Sequence, residues 1–269
     1  MLTADSDESK GGRRLLKARW LRGLWHLGQP LVHTTGRNLI RLPGLYVQFL
    51  RERSRFMAMQ GDAPFEELQP GLFDKTPQTQ SGGGHYFYQD IWALTKLAEL
   101  SPEVHHDVGS RYDGFVGQAT AICRVVAFDI RPPNIQLPRF EFRQGSILDL
   151  PLDDASVHSL SCLHVAEHVG LGRFGDELDP DGTKKALREL SRVLARGGQL
   201  LFSMPIGRER VCFNAHRVWH PERPVELFPE LRLVEFKAVD DDGEFRTEAA
   251  PADFAEATFA CGLYRFIKA

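Results

Sequence analysis

Two groups of residues in this 269-residue chain are of types that carry chemistry. In the first, His164-Val165-Ala166-Glu167-His168 sets two imidazoles around a carboxylate, and His216 follows in Asn214-Ala215-His216-Arg217. Imidazole is the side chain best suited to exchange a proton near neutral pH, so His216 is the first candidate for a general base, then His168, with Glu167 beside it. The same five residues match H-x-x-E-H, the spacing of an inverted zinc-peptidase site. That chemistry needs a long helix to aim both imidazoles at one ion, and a distant third ligand. Gly170 and Gly172 would cut such a helix short, and a strand-like run, Val157 to Leu163, leads straight into the motif. A zinc hydrolase using His164, Glu167 and His168 is therefore the minor alternative, and the leading reading assigns no metal.

The second group is a glycine and an acid. A short apolar segment from Val104 closes on Asp107-Val108-Gly109, and a second, Val125-Val126-Ala127-Phe128, closes on Asp129. A glycine directly after a buried strand lets the backbone bend sharply and approach a ligand closely. A carboxylate about 20 residues further on, at the end of the next strand, is placed to accept hydrogen bonds from two ribose hydroxyls. The pair predicts a nucleotide-like cofactor site at the carboxyl edge of a parallel sheet.

These residues require strands and helices in alternation. Strands are expected near 104–108, 125–129, 140–144, 157–163, 199–204, 231–239 and 259–268. A helix opening at His85 and running to Leu100 precedes the first strand, with Phe87, Ile91, Leu94 and Leu97 toward the sheet and Tyr86 or Tyr88 at the pocket. Another helix carries Leu187, Leu190, Val193 and Leu194. Arg173, Asp176, Asp179 and Asp181 form an acidic loop that could shape an acceptor pocket, and Asp240-Asp241-Asp242 reads as a solvated turn.

In this order the segments resemble the class I S-adenosylmethionine-dependent methyltransferases, from about residue 86 to 269. Asp107 and Gly109 match the first-strand loop, Asp129 the ribose-binding acid, and Gly145-Ser146 the pair that faces adenine. Leu163-His164-Val165-Ala166-Glu167-His168-Val169 matches the end of the fourth strand. Within the superfamily the chain is most similar to a methyltransferase-like domain family of unknown function, through residues 107–115, 164–173 and 210–217. The resemblance implies a Rossmann-like three-layer α/β sandwich with a mostly parallel seven-stranded sheet, one strand antiparallel. It implies S-adenosylmethionine as cofactor, touched by Asp107, Gly109, Ser110, Arg111, Asp129, Ile130, Ser146, Ile147 and His164. It also implies methyl transfer to a small-molecule or sugar-containing acceptor, on oxygen.

The chain departs from the family pattern where Arg111 and Asp113 replace the second and third loop glycines, and where Ser146 stands in for an aspartate. Arg111 could hold the cofactor's carboxylate in its planar fork or fold onto Asp113 as a surface pair. The altered loop also keeps open a catalytically inactive, cofactor-binding or scaffold protein on the same fold.

Residues 1–60 hold 11 Lys and Arg against 4 Asp and Glu, a net of +7. The remainder, with 22 against 32, carries −10. An acidic core argues against nucleic acid as substrate, since a phosphate-binding face is basic. Residues 1–84 read as a basic helical arm and loop-rich linker, and 85–269 as the methyltransferase-like domain. In the arm, 13–27 forms an amphipathic helix suited to docking on protein, including a second subunit, or lying on an anionic membrane surface. A second helix is expected from Leu45 to Met59. No segment reaches the length of a membrane span. Cys123, Cys162, Cys212 and Cys261 form no C-x-x-C pair, so free thiols in a reducing cytoplasm are expected.

Overall fold

A computed structural model describes residues 37–58 and 83–269, and the chain divides into two units, Met1–Ser81 and Gly82–Ala269. The basic helix expected over 13–27 lies outside the described residues. In the first unit, α1 spans Arg37–Ala58. It begins earlier than expected because it runs through Pro43, whose missing amide removes one backbone bond without ending the helix.

The second unit opens with α2 (Gly84–Leu100). The strands β1 (Val104–Val108), β2 (Arg124–Asp129), β3 (Phe140–Gln144) and β4 (Val157–Leu163) follow, with the short α3 (Gly117–Ala119) between β1 and β2. Then come α4 (Gly182–Val193), β5 (Leu194–Ile206), a hairpin of β6 (Arg210–Cys212) and β7 (His216–Val218), and α5 (Arg223–Leu227). The chain closes with β8 (Leu231–Val239), β9 (Phe245–Arg246) and β10 (Ala260–Lys268). The sheet order is β3-β2-β1-β4-β5-β10-β8-β9, with β10 antiparallel to both neighbours.

The sheet has eight strands where seven were expected. The extra one, β9, is two residues long and pairs only Ala238 and Val239 of β8, too short to leave an alternating pattern in the sequence. It exists because the acidic turn before it is a bracket. Asp240 accepts the amides of Asp242 and Glu244, and Asp241 accepts those of Thr258 and Phe259 ahead of β10, at 2.8 and 2.7 Å. Those two carboxylates are tied into the fold, not merely solvated.

Both sheet faces are covered, so the strands alternate between two cores. On β2, Val126 and Phe128 join one apolar cluster with Leu187, Leu190 and Phe202, while Val125 and Ala127 join another with Trp92, Leu97 and Phe115. On α2 the buried stripe is Gln89, Trp92, Ala93, Lys96 and Leu97; Phe87 and Ile91, expected inside, are exposed. Polar residues take inward positions because each finds a partner from a distant strand. The Ser203 hydroxyl donates to the Gln89 carbonyl at 2.5 Å, and Glu235 accepts from the Trp92 indole at 2.8 Å and pairs with Lys96 at 2.9 Å.

Beneath the carboxyl edge of β1 lies a closed polar chain. Ser161 donates to Asp107 Oδ2, so its oxygen accepts from His105 Nε2–H at 2.8 Å, and His105 Nδ1 accepts the Ser159 hydroxyl at 2.7 Å. Burial lowers the His105 pKa to about 3 and raises that of Asp107 to about 6. The neutral ring stabilises the fold above its unfolded pKa of about 6.5 and loses that contribution as pH falls toward 3. Asp107 runs the opposite way: its stability is complete below 3.8 and lost as pH rises through about 6. The stability of the parent relative to His105→Asn, which keeps Asp107, is thus expected to drop by about 2 kcal/mol between pH 7 and pH 5. Urea unfolding of both proteins at the two pH values measures it; a parallel response would mean that the ring is not held neutral.

Candidate functional site

In the sheet order, connections run outward in both directions from between β1 and β4, the switch point at which open α/β sheets bind ligands. A cleft of about 500 Å³ opens there, within the usual range for small-molecule sites.

Gly109 and Asp129 stand on its wall together, at the ends of adjacent strands paired through Val108 and Phe128. Gly109 has φ +73°, and its amide donates to the Phe128 carbonyl at 2.8 Å. A Cβ there would lie 2.7 Å from Val165 Cγ1, so both the conformation and the close approach require glycine. Asp129 Oδ1 accepts the Arg131 amide at 2.8 Å, and Oδ2 has no hydrogen bond among the described residues.

Ser110, Arg111, Ile130, Ser146, Ile147, His164 and His168 also line the cleft. Asp107 sits behind the wall, 1% exposed, where it accepts the Ser110 amide at 3.0 Å and so holds the bend in shape. The Ser110 hydroxyl is engaged as well, accepting the Leu163 amide at 3.1 Å. Ser146 Oγ accepts the Leu148 amide at 3.1 Å. Of the two fates open to Arg111, the structure displays the pair: its guanidinium donates to both oxygens of Asp113, at 3.0 and 2.9 Å, and lies 4.6 Å over the Tyr86 ring. The cleft is not plugged by it. Tyr86 lines the cleft, whereas Tyr88 stacks on Phe245.

H-x-x-E-H does not occupy a long helix. His164 directly follows β4 with φ +55°, and Ala166–His168 is one 3₁₀ turn. Glu167, 1% exposed, is set behind the wall with Oε1 at 2.7 Å from His164 Nδ1 and 3.7 Å from His168 Nε2. Burial pushes the Glu167 pKa up, but the two imidazoles outweigh it and hold the carboxyl below its ordinary range. Burial opposes protonation of His164, yet Cys261 and Glu167 raise its pKa well above that of free imidazole. His168 Nδ1 donates to the Ala215 carbonyl at 2.6 Å. His216 does not wall the cleft; its ring packs 5.0 Å from that of Phe259, and burial lowers its pKa.

Two features of the wall, Tyr112 and the Arg131–Phe174 contact, have no counterpart in the sequence reading. Tyr112 lines the cleft with a buried hydroxyl that lacks a hydrogen-bond partner among the described residues, and burial, then Asp129 and Asp107, raise its pKa. Arg131 lies 4.6 Å over the Phe174 ring, joining the loop after β2 to the loop after the 3₁₀ turn. Asp176 ties that second loop by accepting the Gly170 amide at 2.7 Å. Of the acidic loop, Arg173 and Asp176 reach the cleft, while Asp179 and Asp181 pair with Lys185 and Lys184.

No helix among the described residues is long and apolar enough to cross a membrane. A family described as a Caenorhabditis protein of unknown function, DUF268, matches residues 155–246. No curated protein matches the chain. Among solved structures it is similar to a chain from a complex of the Haloferax volcanii Trm112 methyltransferase activator. Identity is 18%, over 68% of this chain and 89% of that one, with TM-score 0.50. It is similar to the Burkholderia thailandensis 1,6-didemethyltoxoflavin-N1-methyltransferase, solved with its substrate and S-adenosylhomocysteine, at 16% identity over 67% and 78%, TM-score 0.50. It also matches the [4+2]-cyclase SpnF, at 13% identity over 70% and 84%, TM-score 0.50. With its switch point, its glycine bend and its strand-end acid, the unit Gly82–Ala269 has the class I S-adenosylmethionine-dependent methyltransferase fold.

Proposed function

We propose that this unit binds S-adenosylmethionine in the cleft and directs its methyl group to a small-molecule or sugar-containing acceptor, on oxygen. The observation that carries the reading is convergence: the Gly109 bend, Asp129 with one carboxylate oxygen unengaged, and Tyr112 with its buried, unpartnered hydroxyl all line one cavity of about 500 Å³. A buried hydroxyl without a partner is costly, and a bound ribose or adenine would supply one. When bound, the cofactor supplies a methyl carbon made electrophilic by its sulfonium.

The chain's contribution is positioning and one proton. His168, which lines the cleft, donates its Nδ1 proton to the Ala215 carbonyl, which leaves Nε2 as the ring atom that can accept a proton. In methyl transfer to oxygen, His168 Nε2 would take the proton of the acceptor hydroxyl. Glu167, 3.7 Å away, would stabilise the imidazolium so formed. His216, away from the cleft wall, takes no part in this reading.

A second reading rests on the same fold: cofactor binding without methyl transfer. It is favoured by the Arg111–Asp113 pair that replaces two loop glycines, and by the cyclase neighbour, since one fold serves several chemistries. Calorimetric titration with S-adenosylhomocysteine separates the cases. Binding in the micromolar range is expected; no binding at millimolar ligand would remove the proposal, and binding with no turnover over a panel of hydroxyl acceptors would favour the second reading.

A further inference from the structure

Beside the cleft, three residues far apart in the sequence meet at the carboxyl edge of the sheet. His85 comes from the start of α2, His164 from the position just after β4 and Cys261 from the start of β10, and their ligating atoms all lie within 4.8 Å of one another. The His85 and His164 rings are stacked, with centroids 5.5 Å apart and planes 7° apart. Cys261 is fully buried, and the His164 side chain is only 5% exposed.

The His164 ring is prepared for a ligand. Its Nδ1 faces the Glu167 carboxylate at 2.7 Å, and its Nε2 is buried with no hydrogen-bond partner among the described residues. A carboxylate that fixes one imidazole nitrogen while the other points at a vacant position is the arrangement found behind metal-bound histidines. Thiolate and imidazole suit zinc, whose bonds of about 2.0–2.3 Å would draw the three groups modestly together.

We infer that His85, His164 and Cys261 form a zinc site, with Glu167 as the positioning residue behind His164 and a fourth coordination position left for water or an acceptor atom. The ion would join α2, β4 and β10 at one point, next to the wall of the cleft. This set differs from H-x-x-E-H: His168 is committed to the Ala215 carbonyl and is not one of the ligands. Zinc takes sulfur as thiolate and imidazole in its neutral form, so any proton that these groups carry leaves to solvent on binding.

The test uses the full chain, stripped with a chelator and titrated with zinc against a chromogenic competitor, then with cobalt as a spectroscopic substitute. One ion per chain is expected, with a thiolate-to-cobalt charge-transfer band. His85→Ala, at a half-buried position, should keep its fold and weaken zinc by more than the ~10–100-fold expected for Glu167→Gln, while Cys261→Ser should remove the band. His168→Ala should leave affinity unchanged. Absence of binding by the parent would overturn the site, as would stoichiometric binding that survives in His85→Ala. None of these readouts depends on S-adenosylmethionine, so the result stands apart from the proposed methyl transfer.

Discussion

Asp129→Ala is expected to weaken S-adenosylhomocysteine binding about 100-fold. Hydrogen bonds to a charged acceptor contribute about 1.5–3 kcal/mol each, and losing two at the low end amounts to ~3 kcal/mol, or roughly two decades of affinity. The side chain is 15% exposed, and its one internal hydrogen bond is to the Arg131 amide. The variant should therefore fold, with a melting temperature close to that of the parent. Asp129→Asn, which keeps the shape and one acceptor, should fall between the two. Calorimetry on the three proteins reads the series directly; equal affinities would take the ribose away from Asp129 even if the ligand still bound.

Arg217→Met is expected to cost about 3–4 kcal/mol of stability, enough to lower the melting temperature by roughly 10 °C. Arg217 is 4% exposed and makes no ion pair within 4.0 Å among the described residues. Its guanidinium is solvated by oxygens of the loop it anchors: it donates to the Val169 carbonyl and the Thr183 hydroxyl through Nη1, and to the Asp179 and Pro180 carbonyls through Nη2. Burial lowers its pKa, and three aspartates, Asp179, Asp176 and Asp181, oppose that. Methionine fills similar volume but leaves those acceptors buried and unpaired, which is the expensive half of losing a hydrogen bond. Because the same loop carries Phe174 and Asp176 to the cleft, ligand affinity should fall along with stability. Thermal denaturation decides the point: a shift under 2 °C would mean that the loop holds itself.

The fold was largely legible because strands buried on both faces announce themselves as short apolar runs. β1, β3, β4 and β8 fall on the expected residues. α2 was placed correctly, but its inward face was not, since Gln89 and Lys96 read as solvent-facing until Ser203 and Glu235 arrive from distant strands. Nothing in the sequence marks β9, whose two residues are held by a carboxylate turn. Gly109 and Asp129 could be read because each needs a particular residue type at a strand end. The Tyr112 hydroxyl, the Arg131–Phe174 contact and the meeting of His85, His164 and Cys261 depend on the course of loops, which no local pattern encodes.

The contact between Gly109 and Val165 couples two positions that lie on different strands' ends. Any side chain added at 109 must find a home in the volume that Val165 occupies and must also tolerate a left-handed backbone. Trimming residue 165 alone satisfies the first condition and leaves a void; enlarging residue 109 alone satisfies neither. Sequence drift at this bend is therefore fenced off by two simultaneous requirements, and the nearest route around them passes through a protein with a hole beside its cleft.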